Sequence, residues 1–143
     1  MSFGNRPFTL EQINQMNRAT MGEALGLEFT AFGDDWLEAT MPVDHRTKQP
    51  AGLLHGGASV ALAETLGSVA SVLYIDPKKQ SVVGLEINAN HIRSARDGKV
   101  TGRVKAIHIG KTTHLWEIQI TNAEGKLVCI SRLTVMVLDR PAQ

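Results

Sequence analysis

The chain has 143 residues, of which 43% are hydrophobic, and a formal net charge of +1 at pH 7. This length predicts one domain over residues 1–143, and the near-neutral charge argues against nucleic acid or an anionic membrane surface as a partner. One cysteine, Cys129, no amino-terminal signal pattern and no run of 18 or more apolar residues together predict a soluble, cytoplasmic protein without disulfides.

The amino-terminal segment predicts two short helices within residues 9–25. Thr9 with Gln12, and Thr20 with Glu23, have the spacing of capping boxes, in which side chains bond the first free amides of a helix. We expect the first helix to bury three apolar side chains, those of Leu10, Ile13 and Met16. Both helices are interpreted as structural.

An alternating apolar and polar pattern follows these helices. Residues 27–32 and 36–43 predict two strands, joined by a turn at Gly33 and the two aspartates after it. The next segment, residues 44–54, is interpreted as a solvated connection in all but Gln49.

Residues 56–74 predict a long helix, because good helix formers without a proline follow the glycine pair at 56 and 57. Roughly eighteen residues at ~1.5 Å each give a rod of ~27 Å, and apolar residues on every side predict that the rod is surrounded by protein. Glu64 is its only formally charged residue. We therefore expect the Glu64 carboxylate to be partly buried.

Small and hydroxylic side chains accompany Glu64 along its helix face. Glu64 stacks with Val60 and Ser68, beside Gly67 and Ser71. This stripe leaves room for a ligand, and Ser68 is placed to bond the carboxylate or to hold a water beside it. The alternative is a solvated surface glutamate, which the lack of any other charge in the helix disfavours.

The start of the helix offers unpaired N–H groups and the positive end of the helix dipole, which favour negative charge. An oxyanion-stabilising group and an acid or base thus lie on one element, about two turns apart. Acyl transfer from a thioester to water needs this pair. In this hypothesis the Gly56 amide polarises the carbonyl, and Glu64 attacks it directly or through a water. Gln49 and His55 would orient the thioester.

Four strands are predicted after the helix, over residues 81–92, 99–109, 112–122 and 127–138. Two strands, one long helix and four more strands predict an α+β fold in which a sheet curls round the helix. One such sheet leaves an edge strand exposed, and pairing of edges across a two-fold axis is a common remedy.

Two strings, QPAGLLHGGASVALAE and VVGLEINANHIRSAR, resemble the hotdog-fold acyl-CoA thioesterases. The resemblance runs from about Thr9 to Leu138 and is strongest to the 1,4-dihydroxy-2-naphthoyl-CoA and enterobactin-pathway proofreading subgroup. It implies a long helix wrapped by a curled antiparallel sheet, and dimers or dimers of dimers with active sites at the subunit interface. The helix and Glu64 would come from one subunit and part of the coenzyme A cleft from its partner.

The resemblance implies an acyl-CoA substrate, with coenzyme A as part of the substrate and no separate cofactor. It places coenzyme A contacts on Gly84, His91, Ile92, Arg93, Ser94, His108, Ile109, Gly110, Lys111, Thr112 and Thr113. Scattered cations and turn amides suit phosphates, although a charged hairpin loop explains the same residues. Relatives often carry an aromatic residue at Ala51, so the acyl preference, aromatic or aliphatic, stays open.

Other chemistry finds less support in the sequence. The five histidines show no metal-ligand spacing, no GxSxG string occurs, and Cys129 has no partner nearby in sequence, so we expect neither a metal site nor a serine or cysteine nucleophile. The HFPG-type loop of the related dehydratases is absent. A hydrolase of acyl- or aroyl-carrier-protein thioesters and a non-catalytic acyl-CoA-binding module remain alternatives, and Glu64 favours an enzyme.

Overall fold

The computed structural model describes residues 8–141, and its elements follow the predicted order. The helices are α1 (Leu10–Met16), α2 (Met21–Ala24) and α3 (Gly56–Tyr74). The strands are β1 (Glu28–Phe32), β2 (Trp36–Pro42), β3 (Gln80–His91), β4 (Lys99–Ile109), β5 (Thr113–Thr121) and β6 (Leu127–Asp139). They form one six-stranded antiparallel sheet in the order β1-β2-β4-β5-β6-β3. Residues 1–7 and 142–143 of the predicted domain lie outside the described residues.

The sheet curls round α3, whose 19 residues form the centre of the core. Leu62, Ala63, Leu66 and Ala70 of α3 have no exposed surface. By length and composition α3 could cross a membrane, and its place inside the sheet accounts for that composition. Gly67 allows close packing, because a Cβ there would lie 2.5 Å from a methyl carbon of Leu133.

β3 is a long edge strand with an uncovered apolar side. Among residues 8–141, its 12 residues pair only with β6, on one side. Val83 and Leu85 are 44% and 52% exposed, and the register shifts between Gly84 and Glu86. An edge of this length offers unpaired backbone groups to a further strand.

The amino-terminal helices match the prediction only in part. Thr9 forms the predicted capping box with Gln12, and Ile13 is buried. Thr20 makes no side-chain cap, because its hydroxyl donates instead to the carbonyl oxygen of Asn17. The prediction that Met16 is buried is wrong, since 47% of its surface is exposed.

Three buried polar side chains join the carboxyl-terminal half of α3 to β5. Trp116 Nε1–H donates to Ser71 Oγ at 2.7 Å, and Ser71 Oγ lies 3.0 Å from His114 Nδ1. Because the indole can only donate, the Ser71 hydroxyl keeps its own proton and can donate it to His114 Nδ1 when the ring proton is on Nε2. Burial lowers the pKa of His114, the charge of His108 adds to this, and a hydrogen bond to the backbone of Gly110 opposes it.

Ser71→Ala should lower the free energy of unfolding by about 1–3 kcal/mol, because it removes the hydroxyl that bonds both Trp116 Nε1–H and the His114 ring in the core. Urea denaturation measures this change. Ser81→Ala, on the half-buried end of β3, is the control and should stay within about 0.5 kcal/mol of the parent. Equal stability of the parent and Ser71→Ala would contradict the proposed role of the hydroxyl.

His114 should make stability fall in acid. Its pKa is lowered in the folded state, so the folded protein resists the proton that the unfolded chain accepts at about 6.5. The stability present above that pH is therefore lost as the pH falls below it. Thermal unfolding of the parent and of His114→Gln between about pH 8 and pH 5 isolates this contribution. His45→Gln, at an exposed position, is the control, and identical pH profiles for the parent and His114→Gln would refute the assignment.

Candidate active site

Two cavities lie against α3. The amide cavity, at the start of the helix, has a volume of about 280 Å³. It is lined by Gln49, Leu53, Leu54, Gly56, Ser59, His91, Ile92, Arg93, Ser94 and Val128. The carboxylate cavity, at the middle of the helix, has a volume of about 290 Å³. It is lined by Met16, Asn17, Thr20, Met21, Gly22, Glu64, Thr65, Ser68 and Val69.

The first two amides of α3 differ in their hydrogen bonding. His55 is the N-cap, and its Nδ1 accepts the Gly57 N–H at 2.7 Å. The Gly56 N–H has no acceptor among residues 8–141. A Cβ on Gly56 would lie 2.8 Å from His91 Nε2, so glycine lets the His91 ring lie against the helix start. The Gly56 amide is thus available to a ligand oxygen at the positive end of the helix dipole.

A tight turn before α3 holds Gln49 at the amide cavity. Its backbone N–H donates to Leu53 O at 2.8 Å, and its carbonyl accepts the Gly52 N–H at 2.9 Å. Its side-chain oxygen accepts the Ala51 N–H, which leaves the Nε2 hydrogens as donors to a ligand. Ala51 itself is exposed and lines neither cavity, so the chain gives no support to the expectation that Ala51 shapes the acyl pocket.

The structure separates the predicted coenzyme A contacts into two groups. Residues 91–94 line the amide cavity. Residues 108–113 form the end of β4 and its turn into β5, which the strand register places level with Gly84 rather than with His91. At about 3.3 Å per residue this turn lies roughly 20 Å from His91. One chain therefore does not bring the two groups together.

Gly84 lies beside the Glu64 carboxylate. A Cβ on Gly84 would lie 2.6 Å from Glu64 Oε1, so the missing side chain gives the acid its place against β3. Glu64 is half-buried, as predicted, and forms no ion pair within residues 8–141. Ser68 shares its cavity without a direct hydrogen bond to it among the described residues. This carboxylate is available to bind or activate a ligand.

Three residues of the predicted stripe, Val60, Gly67 and Ser71, do not line the carboxylate cavity. Gly67 packs against Leu133, and Ser71 bonds the buried Trp116. Within two turns of Glu64 the sheet covers α3, so Gly67 and Ser71 face the sheet rather than the carboxylate cavity. The sequence cannot show where that closure begins.

The Gly56 amide and the Glu64 carboxylate of one chain line different cavities. Their eight-residue spacing on α3 corresponds to ~12 Å along the axis. Two groups that act on one carbonyl must each approach within about 3–3.5 Å of the reacting atoms. The expectation that they face one cleft within a single chain is therefore wrong.

Sequence reasoning missed the contribution of the amino-terminal helices to the carboxylate cavity. Met16, Asn17, Thr20, Met21 and Gly22 all line it, although these helices were interpreted as structural. The only available sign was the pair of methionines on helices too short to bury both. Within residues 8–141 no three potential metal-ligating side chains converge.

A long helix wrapped by a curled antiparallel sheet is the architecture of the hotdog-fold thioesterases. The chain belongs to the thioesterase superfamily, whose sequence profile matches residues 51–129. These two findings confirm the predicted fold class and the predicted class of enzyme.

Individual proteins are similar over nearly the whole chain. The 1,4-dihydroxy-2-naphthoyl-CoA hydrolase of Escherichia coli (strain K12) is 56% identical over 93% of this chain and 97% of that protein. The proofreading thioesterase EntH of Cronobacter turicensis is 51% identical over 93% of this chain and 96% of that protein. The crystal structure of the thioesterase HI1161 from Haemophilus influenzae has a TM-score of 0.92 at 52% identity, over 96% of each chain.

Gly84→Ala should slow thioester hydrolysis at least about tenfold, because the added methyl group displaces the Glu64 carboxylate. The backbone of Gly84 is not in the left-handed region, so stability should change little. Thiol release and urea denaturation measure the two effects. Asn88→Ala, exposed on the same strand, should retain activity. Full activity of Gly84→Ala would show that the contact is not needed.

Proposed function

We propose that the chain is an acyl-CoA thioesterase that acts on aromatic or medium-size acyl groups. The observation that carries this proposal is the half-buried Glu64 carboxylate, which has no ion pair within residues 8–141 and lies on the same helix as the open Gly56 amide. In the reaction, water adds to the thioester carbonyl carbon, the bond from carbon to sulfur breaks, and coenzyme A leaves as its thiolate. A carboxylic acid and the thiol are the products after proton transfer.

Each group at the site has one role in this mechanism. The Gly56 N–H, aided by the helix dipole, donates to the carbonyl oxygen as negative charge develops there. Glu64 either deprotonates the attacking water or attacks the carbon itself and forms a mixed anhydride. The Gln49 Nε2 group and His55 orient the thioester, and Ser68 holds the water or the carboxylate.

A second copy of the chain completes the site in this proposal, because ~12 Å separates Gly56 and Glu64 along one helix. β3 offers the contact: it is an edge strand, and its Val83 and Leu85 side chains are about half exposed. Antiparallel pairing of two β3 strands about a two-fold axis makes the two α3 helices antiparallel. The start of one helix then approaches the middle of the other, and Gly56 of one chain can act with Glu64 of its partner.

The same pairing accounts for the divided coenzyme A contacts. In an antiparallel pair, the Gly84 end of one β3 strand lies towards the His91 end of the other. The 108–113 turn of one chain is thereby moved towards residues 91–94 of its partner. Arg93, Lys111 and the amides of the Gly110 turn then suit the phosphates of coenzyme A. Dimers, or dimers of dimers, are the assemblies consistent with this arrangement.

The acyl group is proposed to occupy the carboxylate cavity. Met16, Met21 and Val69 supply apolar surface, and Thr65 and Ser68 supply hydroxyl groups. This combination suits an aromatic ring with polar substituents, in agreement with the substrate named for the relative from Escherichia coli. A thioester on an acyl carrier protein is the second candidate, which the resemblance to the proofreading subgroup leaves open. Steady-state rates with both kinds of thioester distinguish them.

Glu64→Ala should lower turnover by several powers of ten, because neither a base nor a nucleophile replaces the carboxylate. Glu64→Asp should keep part of the activity if the acid works through water. Thiol release from a panel of acyl-CoAs measures both, and Glu124→Gln, in the exposed turn before β6, is the matched control. A Glu64→Ala protein as active as the parent would rule out the role.

Gly56→Pro, compared with Gly56→Ala, tests the amide: both variants add a Cβ against the His91 ring, and only proline, which suits the first position of a helix, also removes the N–H. The extended backbone of His55, with φ −66° and ψ 130°, is compatible with a following proline. We expect kcat to fall by about 10²–10³, the cost of losing one oxyanion donor.

Mixing the two inactive variants tests whether the site is shared. A heterodimer of Gly56→Pro and Glu64→Ala chains has one site with an intact amide and an intact carboxylate. After unfolding and refolding of an equal mixture, about a quarter of the parent activity should return, since half of the dimers then have one working site of two. With parent protein refolded in the same way as the control for yield, absence of any recovery would refute the shared site.

A further inference from the structure

Side-chain amides fasten the amino-terminal helices to the edge of the sheet. Asn14 Nδ2 donates to Phe29 O at 3.0 Å, and the Phe29 N–H donates to Asn14 Oδ1 at 2.8 Å. One turn later, Asn17 Nδ2 donates to Leu27 O at 3.1 Å. Two amides spaced i, i+3, one on α1 and one at its C-cap, thus satisfy backbone groups of Phe29 on β1 and of Leu27 just before it.

Apolar packing holds these helices only weakly. Ile13 is the one fully buried apolar side chain of α1 and α2 in the described structure. Met16 and Met21, which line the carboxylate cavity, are 47% and 64% exposed. Methionine is flexible, so its position in a cavity wall depends on how firmly the backbone that carries it is held.

Asn17 takes part in these hydrogen bonds and also borders the carboxylate cavity. It lines the carboxylate cavity, and the Thr20 hydroxyl donates to its backbone carbonyl at 2.6 Å. Gly22 packs so close that an added Cβ would lie 2.0 Å from Asn17 Oδ1. A shift of α1 along β1 therefore moves the turn between α1 and α2, and with it the wall that faces Glu64.

Given the thioesterase function proposed above, on which this assignment rests, we propose that Asn14 is a positioning residue for acyl selectivity. Asn14 does not line the carboxylate cavity, so it acts on the acyl group only through the placement of α1. An acyl group that ends close to the carbonyl does not reach Met16 and Met21. A phenyl-sized acyl group does, and it gains from a wall that is held in place.

The test compares two inert ligands that differ only in the acyl end. S-phenacyl-coenzyme A and S-acetonyl-coenzyme A are thioether ketones that cannot be hydrolysed, so calorimetric affinities do not depend on turnover. Asn14→Ala should weaken binding of the phenacyl ligand about tenfold and change that of the acetonyl ligand less than about twofold. Asn14→Asp keeps the acceptor for the Phe29 amide and loses the donor, so its effect should be intermediate.

Gln15→Ala is the matched control, because Gln15 is exposed on the same helix. It should leave both affinities unchanged. An equal loss for the two ligands, or no loss for either, in both Asn14 variants would overturn the assignment. The ligand-size split separates positioning from a general loss of stability, which would weaken both ligands alike.

A different measurement tests the thioesterase function proposed above. The parent protein and the variants are also assayed for thiol release from benzoyl-CoA and acetyl-CoA. A tenfold split in thioether binding without thiol release by the parent would support Asn14 as a selectivity residue and refute aromatic acyl-CoA thioesters as the proposed substrates. A parallel split in kcat/KM would support both.

Discussion

Enclosure of α3 by a single curled sheet is the constraint on which the rest of the structure depends. A helix packed on most of its sides must satisfy or omit its polar groups, and α3 has one formal charge in 19 residues. Where the sheet closes, polar side chains have partners, as Ser71 has Trp116. Where it stays open, at the start of the helix and beside Gly84, the Gly56 amide and the Glu64 carboxylate face cavities. The limits of the wrapping therefore determine where ligand chemistry is possible.

Because one helix carries both groups, the mechanism proposed above requires a partner subunit. Position along a helix is rigid, at ~1.5 Å per residue, so no side-chain rotation brings the Gly56 amide to a carbonyl held at Glu64. In the proposed dimer, a two-fold axis beside β3 would overcome this limit by reversing the direction of the second helix. Gly84 contributes to both parts of the proposed site. It leaves space for the Glu64 carboxylate, and it lies on β3, the edge strand that would pair with the partner.

The sequence predicted what depends on local periodicity. Every strand boundary falls within one residue of its predicted position, and the helix begins at the glycine pair. Glu64 was found because a lone charge in an apolar helix is a local feature. The contacts that shape the site join distant segments: His91 with Gly56, Gly84 with Glu64, and the amino-terminal helices with the middle of α3. Neither the burial of Ser71 nor the exposure of Met16 follows from residue spacing, because both depend on where the sheet ends.

The cap on α3 limits what the start of the helix can hold. Because the Gly57 N–H is already bonded to the His55 ring, only the Gly56 N–H of these two amides is available to a ligand oxygen. Anion sites of the phosphate-binding kind rely on several converging amides, so this one is matched to the lone oxygen of a polarised carbonyl. After turnover the newly formed carboxylate would offer two oxygens to that one donor while facing the negative charge of Glu64. In this mechanism, the geometry that binds the thioester would therefore also favour release of the carboxylate product.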